Sequence, residues 1–311
     1  MENTFSIVHF SDLHIFQPAC CANYCSKRLC GCLNHHCSSQ REHNRDSFNE
    51  LAAYINKNDR VCFSVCTGDI SSLAVRGEWQ EASEMFSHHF YPSGFLINDD
   101  KELQKNQITM LKKKPLLLSL GNHDVYTSNN ELRIASNYLS AFFGHSLVEE
   151  EPFPSSSSMN GILFINFCSA NAHISPFNSS GCVPQHQLNL AHDFLMTVDA
   201  KYIAVCLHHS PVDERLLRPQ ARLDDSIDFL RWCKEHSVNM ILNGHTHIPN
   251  YTVVDGMVIL DSGSLCLNRK TYGEYTFKMI NDEVQLMNVV FSEFKVESNK
   301  FEEFARMNLT K

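Results

Sequence analysis

Six short apolar runs, residues 5–10, 61–66, 115–120, 161–168, 202–207 and 238–242, alternate with longer stretches of helical periodicity across the first two thirds of the chain. Apolar runs of this length bounded by polar residues predict strands, and strands alternating with helices predict an α/β fold of βαβ units. In residues 45–55 the apolar positions Phe48, Leu51, Ala52 and Ile55 fall three and four apart, which makes one helical face. Residues 185–198, 225–236 and 300–307 read as helices on the same ground. After His247 the pattern changes to strand candidates at 251–254, 257–260, 275–280 and 284–291, joined by turns such as Asp255-Gly256 and Asn281-Asp282. That spacing predicts an antiparallel meander. The run Ser155-Ser156-Ser157-Ser158 reads as an exposed loop.

Polar residues gather where the strands end. The first ends in Asp12-Leu13-His14, the second in Gly68-Asp69, the third in Gly121-Asn122-His123-Asp124, the fifth in His208-His209 and the sixth in Gly244-His245-Thr246-His247. In an open α/β sheet ligands bind at the carboxyl ends of strands, so these five ends converge on one place. They supply carboxylates, an amide and imidazoles, the ligand types suited to divalent first-row metals, with no cysteine among them. Asp12 and His14 stand two residues apart, as do His245 and His247, so in extended backbone each pair points to one side. The set is too large for one four-coordinate ion and suits two ions that share a carboxylate.

Length alone allows about two domains. Side chains drawn from residue 12 to residue 247 must meet at one site, however, so a single domain over residues 1–311 is expected, with insertions at about 18–39 and 76–114. An apolar share of 43% with 20% charged residues excludes a disordered or fibrous protein. The net charge of −9 argues against a partner such as nucleic acid, which is bound by neutralising phosphates. Met1-Glu2-Asn3-Thr4 lacks the basic start of a signal peptide, and no apolar run approaches the roughly 20 residues of a spanning helix. A cytoplasmic location is therefore expected. Thirteen cysteines fit poorly with a complete disulfide framework, and most are expected as free thiols.

The five strand-end motifs, in this order, resemble those of the calcineurin-like metallophosphoesterases, and Asp261-Ser262-Gly263-Ser264 resembles the small-residue element that follows the last of them. The resemblance implies a four-layer α/β/β/α sandwich with a dinuclear metal site at the C-terminal ends of strands. Carried over by position, it implies that Asp12, His14 and His247 hold one ion, that Asn122, His208 and His245 hold the other, and that Asp69 bridges them. His123 would face the scissile phosphate with Asp124 orienting its ring, while hydroxide bridging the ions attacks phosphorus. His208 and His209 remain alternatives as the ligand. His208 is preferred because it directly follows the strand at 202–207, and His209 would then line the substrate pocket. The implied cofactors are two divalent ions, manganese by preference, with iron, zinc, magnesium or nickel able to serve. His9, alternating with apolar neighbours, reads as a satisfied buried histidine.

Two stretches resist the strand and helix patterns. Residues 18–39 hold Cys20, Cys21, Cys25, Cys30, Cys32 and Cys37 with His35 and His36, at spacings that match no regular zinc-binding CxxC pair of pairs, so packed thiols are expected. Within them, Lys27 and Arg28 adjoin Leu29 and Leu33 in an amphipathic segment suited to a membrane surface or to a substrate with phosphate and acyl parts. This segment is similar to the corresponding stretch in a bacterial branch that includes a UDP-2,3-diacylglucosamine pyrophosphatase of lipid A synthesis. That likeness implies a nucleotide-sugar lipid substrate cleaved to UMP and 2,3-diacylglucosamine 1-phosphate, with a peripheral contact on the inner membrane face. Lys27 and Arg28 would approach the diphosphate or an anionic lipid, and the aromatic residues of 85–96, in the second stretch, would bind acyl chains. The same motifs also fit a cyclic nucleotide (3',5'-cAMP) phosphodiesterase. A non-catalytic scaffold on this fold is disfavoured, because no ligand is missing.

Overall fold

β1 (Asn3–Phe10) divides its side chains between two cores, Phe5 and Ile7 entering one and Val8 and Phe10 the other. β2 (Val61–Cys66) repeats the division, with Phe63 and Val65 on the first side and Val61 and Cys66 on the second. Strands apolar on both faces belong inside a layered fold, and their period of two assigns residues to layers, except that a bulge between Val61 and Phe63 moves Val61 to the other side. The two strands pair in parallel within a seven-stranded sheet of order β14-β13-β12-β1-β2-β5-β3. Its other members are β3 (Phe90–Pro92), β5 (Lys114–Leu118), β12 (Thr271–Ile280), β13 (Glu283–Lys295) and β14 (Lys300–Asn308). A second seven-stranded sheet has the order β10-β11-β9-β8-β7-β6-β4. It comprises β4 (Phe95–Leu96), β6 (Ser155–Met159), β7 (Ile162–Asn166), β8 (Tyr202–Cys206), β9 (Met240–Asn243), β10 (Pro249–Val254) and β11 (Met257–Ser262). The computed structural model describes residues 3–18, 27–37, 44–93, 95–96, 113–143, 153–173, 175, 177–212, 221–266 and 269–309.

Between the sheets, Phe5, Phe63 and Leu117 pack against Ile162, Phe164 and Cys206, and the rings of Phe63 and Phe164 stack at 4.6 Å. On the outer face of the first sheet α2 (Arg45–Lys57), α3 (Arg76–His89) and α4 (Asn130–Phe143) bury Phe48, Trp79, Phe86 and Ala135. On the outer face of the second, α5 (Gln185–Leu195) and α6 (Ser226–Glu235) bury Leu188, Phe229 and Trp232. The architecture is the α/β/β/α sandwich that the family resemblance implied. A further helix, α1 (Lys27–Cys37), lies against the loop after β2. There Gly31 permits the approach, since a Cβ would fall 2.5 Å from Leu73 and 2.7 Å from the Tyr126 hydroxyl. No helix among the described residues is long and apolar enough to cross a membrane.

Several sequence expectations are corrected. Residues 300–307 form a strand rather than a helix, because β14 pairs with β13 through a bulge. Glu303 opposes Ser292 and Ala305 opposes Phe291, so Phe304 is the extra residue. The bulge turns Phe301 toward the helix-covered side and Ala305 and Met307 toward the other sheet, which imitates helical spacing in the sequence. The single meander is divided in two. The β10–β11 hairpin, turning through Asp255 (φ 51°) and Gly256 (φ 85°), joins the second sheet beside β9, whereas β12, β13 and β14 extend the first. The serine run is not an exposed loop: Ser155, Ser156 and Ser157 are buried in β6, where Ser155 lies 3.3 Å from Asn166 Nδ2.

The aromatic stretch is likewise core. Phe86 and Phe90 are buried against Phe48, and Phe86 also meets Phe142, so neither ring is available to acyl chains. The described part of 76–114 therefore builds the first layer, and residues 97–112 lie outside the described residues. Cys20, Cys21 and Cys25, and the side chains of His35, His36 and Cys37, lie outside them as well. The cysteines with described side chains, from Cys30 to Cys266, are free thiols.

Candidate metal centre

Every candidate ligand stands on a loop that leaves a parallel strand. Asp12 and His14 follow β1, Asp69 follows β2, Asn122 follows β5, His208 follows β8, and His245 and His247 follow β9. Neighbouring loops are tied within each sheet: the Asp12 N–H donates to the Gly68 carbonyl at 2.9 Å in the first, and the Gly244 N–H to the His208 carbonyl at 3.0 Å in the second. The backbone is not extended at the paired motifs, as the sequence reading assumed. Asp12 (φ 57°), His14 (45°), Asp69 (51°), His245 (71°) and His247 (59°) all occupy the left-handed region. Each such residue costs about 1 kcal/mol or more relative to ordinary backbone, and such outliers gather where a site dictates side-chain direction.

Two ligand groups result. One ligand atom from each of Asp12, His14, Asp69 and His247 falls within 4.8 Å of the others, and Asp69, His208 and His245 make a second group within the same limit. Asp69 belongs to both. His208 Nε2 lies 3.4 Å from Asp69 Oδ2 and 3.2 Å from His245 Nδ1, while its Nδ1 faces the Thr67 carbonyl at 2.7 Å. A ring held through Nδ1 directs Nε2 at the ion. Gly121 leaves space for Asp69, since a Cβ there would lie 2.2 Å from the carboxylate. Between Gly121 and His123, the Asn122 Oδ1 is buried with no hydrogen-bond partner. A buried amide oxygen costs about 1–3 kcal/mol when unsatisfied, and coordination to a cation is the role that such an oxygen fits. Together with the nitrogen and carboxylate donors around it, this orphaned oxygen shows that the residues suit divalent metals.

The electrostatics agree. Burial would raise both carboxyls, but His247 and His208 hold Asp12 well below the usual carboxylate range, and His208, His123 and His14 do so for Asp69. Burial pulls His208 down while Asp69 pulls it further up, to about 10. His245, desolvated and beside His208, is pushed down to about 3 and stays neutral.

The remaining candidates separate. His123 places Nδ1 2.8 Å from the Ser72 carbonyl and its backbone N–H 2.8 Å from Asp69 Oδ1. Asp124 does not orient that ring. Its carboxylate instead accepts from the backbone N–H groups of Gly121, Ser71 and Ile70 and from the Ser71 hydroxyl, which ties the third motif to the loop after β2. Burial and the Asp69 charge push its carboxyl up to about 7 against the pull of those donors. His209 does not line the pocket: it is fully buried, with Nδ1 2.8 Å from Ser169 Oγ and Nε2 3.0 Å from the Ser179 carbonyl, and its ring backs His245 at 4.7 Å. Arg28 is also turned away from substrate, because its guanidinium meets Glu131 and the Leu73 and Ala74 carbonyls. Lys27, by contrast, holds its ammonium 4.6 Å over the Tyr126 ring and 3.4 Å from the Asn178 carbonyl, where burial lowers its pKa against the pull of Asp69. His9 is satisfied by Tyr275 and Thr67, each at 2.9 Å.

The roles of two residues were not read from the sequence. Asp261 accepts from the Thr246 hydroxyl at 2.7 Å and from Asn243 Nδ2 at 2.9 Å, so it braces the last motif from within the small-residue element already noted. Tyr126 carried no signal beyond standing three residues after His123.

The sequence profile of the calcineurin-like phosphoesterases matches residues 5–249. The chain belongs to this family. It is accordingly a hydrolase that acts on phosphoester bonds, and the family and the ligand cluster together suggest a dinuclear divalent metal site. Among curated proteins none matches this phosphoesterase in sequence. In fold it is similar to a dimetal phosphatase from Danio rerio, with a TM-score of 0.55, 12% identity and 98% of each chain covered. A purple acid phosphatase from yellow lupin seeds gives 0.54 at 10% identity over 99% of this chain and 54% of that one. A Staphylococcus aureus protein solved with alpha-ketoglutarate gives 0.51 at 12% over 99% and 55%. The phosphoesterase thus spans about half the length of the latter two.

Proposed function

We propose that this phosphoesterase is a UDP-2,3-diacylglucosamine pyrophosphatase, consuming one water to break the P–O–P bond and release UMP and 2,3-diacylglucosamine 1-phosphate. The observation that carries the reading is the disposition of α1. Its first residue, Lys27, reaches the aromatic wall of the metal centre, while Leu29 and Leu33, one turn apart, are exposed on the same helix. A cation beside the phosphate site and an apolar face next to it suit a substrate with a diphosphate and acyl chains, presented at the inner face of a membrane. The acyl-binding role passes from residues 85–96 to this face.

Asp12, His14 and His247 would hold one ion, Asn122, His208 and His245 the other, and Asp69 both, with manganese the proposed metal and iron, zinc, magnesium or nickel its alternatives. The bound ions would supply Lewis acidity that activates water and offsets phosphoryl charge. The Ser72 carbonyl accepts from the Nδ1–H of His123, which leaves Nε2 to hold a proton at a phosphoryl or leaving oxygen. Lys27 would bind the phosphate not undergoing attack. The 311 residues would act as one catalytic domain.

The test compares two substrates. Manganese-loaded protein in detergent is expected to release UMP from UDP-2,3-diacylglucosamine far faster than it opens 3',5'-cyclic AMP. The reverse preference would refute the lipid reading and favour a cyclic nucleotide phosphodiesterase.

A further inference from the structure

Contacts on several sides hold the His123 ring. Its Nδ1 meets the Ser72 carbonyl at 2.8 Å, the His14 ring meets it edge-on at 4.7 Å, and the Tyr126 ring stacks on it at 5.0 Å with 20° between the planes. Tyr126 is 5% exposed and lies under α1, where Gly31 alone leaves room for its hydroxyl. The same ring carries the Lys27 ammonium at 4.6 Å. An electron-rich ring face attracts a cation and stacks on an imidazole, so one side chain meets both Lys27 and His123.

We infer that Tyr126 is a positioning residue for hydrolysis, aligning His123 on the attacked phosphoryl group by stacking, while the same ring holds Lys27 for the phosphate not undergoing attack. It takes the orienting role that the sequence assigned to Asp124, whose carboxylate is engaged by the loop backbone. The inference rests on the reading of His123 as the residue that faces phosphate. The flat ring limits tilt of the imidazole, while the Ser72 carbonyl keeps the proton on Nδ1. It also links α1 to the reaction: a helix that shifts on binding an apolar tail moves Lys27 relative to Tyr126.

Steady-state kinetics of the manganese-loaded full chain on bis(p-nitrophenyl) phosphate test this with Tyr126→Leu, Tyr126→Phe, His123→Ala and the double variant His123→Ala/Tyr126→Leu. Tyr126→Leu is expected to lower kcat by about 10- to 100-fold with little change in KM, the effect of misplacing a reacting group. Tyr126→Phe should restore kcat to within a few-fold of the parent, and Tyr126→Leu should cost nothing further once His123 is absent. A loss of equal size on both backgrounds, or a Phe variant as impaired as the Leu variant, overturns the inference while leaving His123 in place. Parent-like activity in His123→Ala overturns the reading beneath it as well. Because the Leu variant has a buried site to fill, proton NMR of the parent loaded with magnesium gives a second measurement. The His123 Cε1–H resonance, identified by its absence from His123→Ala, should lie upfield under the Tyr126 ring current, and an unshifted resonance overturns the stacking role.

Discussion

Nε2 of His247 lies 2.9 Å from Oδ1 of Asp12, a contact that closes 235 residues of chain. The other oxygen of the same carboxylate receives the backbone N–H of His245 at 3.2 Å, so Asp12 registers the last motif against the first. The centre is therefore assembled by carboxylates that answer to more than one loop, and the consequences of removing them differ by position.

Asp69 is common to both ligand groups. Asp69→Ala is expected to lower hydrolysis of bis(p-nitrophenyl) phosphate by at least about 100-fold, beyond the usual loss from a supporting residue, and to reduce bound manganese measured by elemental analysis. Chelation of the parent should have the same kinetic result. Full metal content with retained turnover in the variant would exclude a shared ligand.

Asn122 offers a buried oxygen with no hydrogen-bond partner among the described residues. Asn122→Ala should weaken manganese binding by about 10- to 100-fold in calorimetry, yet leave the melting temperature of the metal-free protein unchanged or higher, since an unsatisfied group is removed. A marked fall in metal-free stability would point to a structural role instead.

Lys27 and Arg28 are neighbours with different duties. Arg28→Ala leaves Glu131 without its cation and should destabilise the fold by about 2 kcal/mol in denaturant melts with kcat intact. Lys27→Ala should leave stability nearly unchanged and raise the KM for the nucleotide-sugar lipid by about 10-fold. Exchange of these two phenotypes would overturn the assignment of α1.

Burial lowers His9 to about 3 from an ordinary value of 6.5, and the ring sits between Tyr275 and Thr67. The folded state thus keeps His9 neutral where the unfolded chain takes up a proton. Stability is fully present above pH 6.5 and is lost as pH falls toward 3, by about 2 kcal/mol between pH 6.5 and 5. Denaturant melts of His9→Gln should show a shallower decline over that interval than the parent, and parallel declines would place the acid sensitivity elsewhere.

Much of the layer order was legible because the strands that lead into the site, β1, β2, β5, β8 and β9, are mostly apolar and short, and each ends in the polar residues that now face one another. Asp12, Asp69 and His208 were readable from those ends. What period and propensity concealed was tertiary in origin. The bulge at Phe304 gave a strand helical spacing, and pairing with β7 carried a serine run into a buried strand. The roles of Asp124, His209, Arg28 and Tyr126 depend on which neighbour the fold brings alongside. A carboxylate next to a histidine in sequence reads as its partner until backbone amides from another loop are seen to occupy it.

The left-handed backbone at Asp12, His14, Asp69, His245 and His247 has a consequence for biogenesis. This cost falls on the chain only as the loops fold, and the ligand groups are completed by His245 and His247, which leave the ribosome last of the set. Ion capture should consequently be a late, all-or-nothing event in maturation, so that truncated translation products remain inert toward cellular phosphoesters rather than acting as unregulated hydrolases.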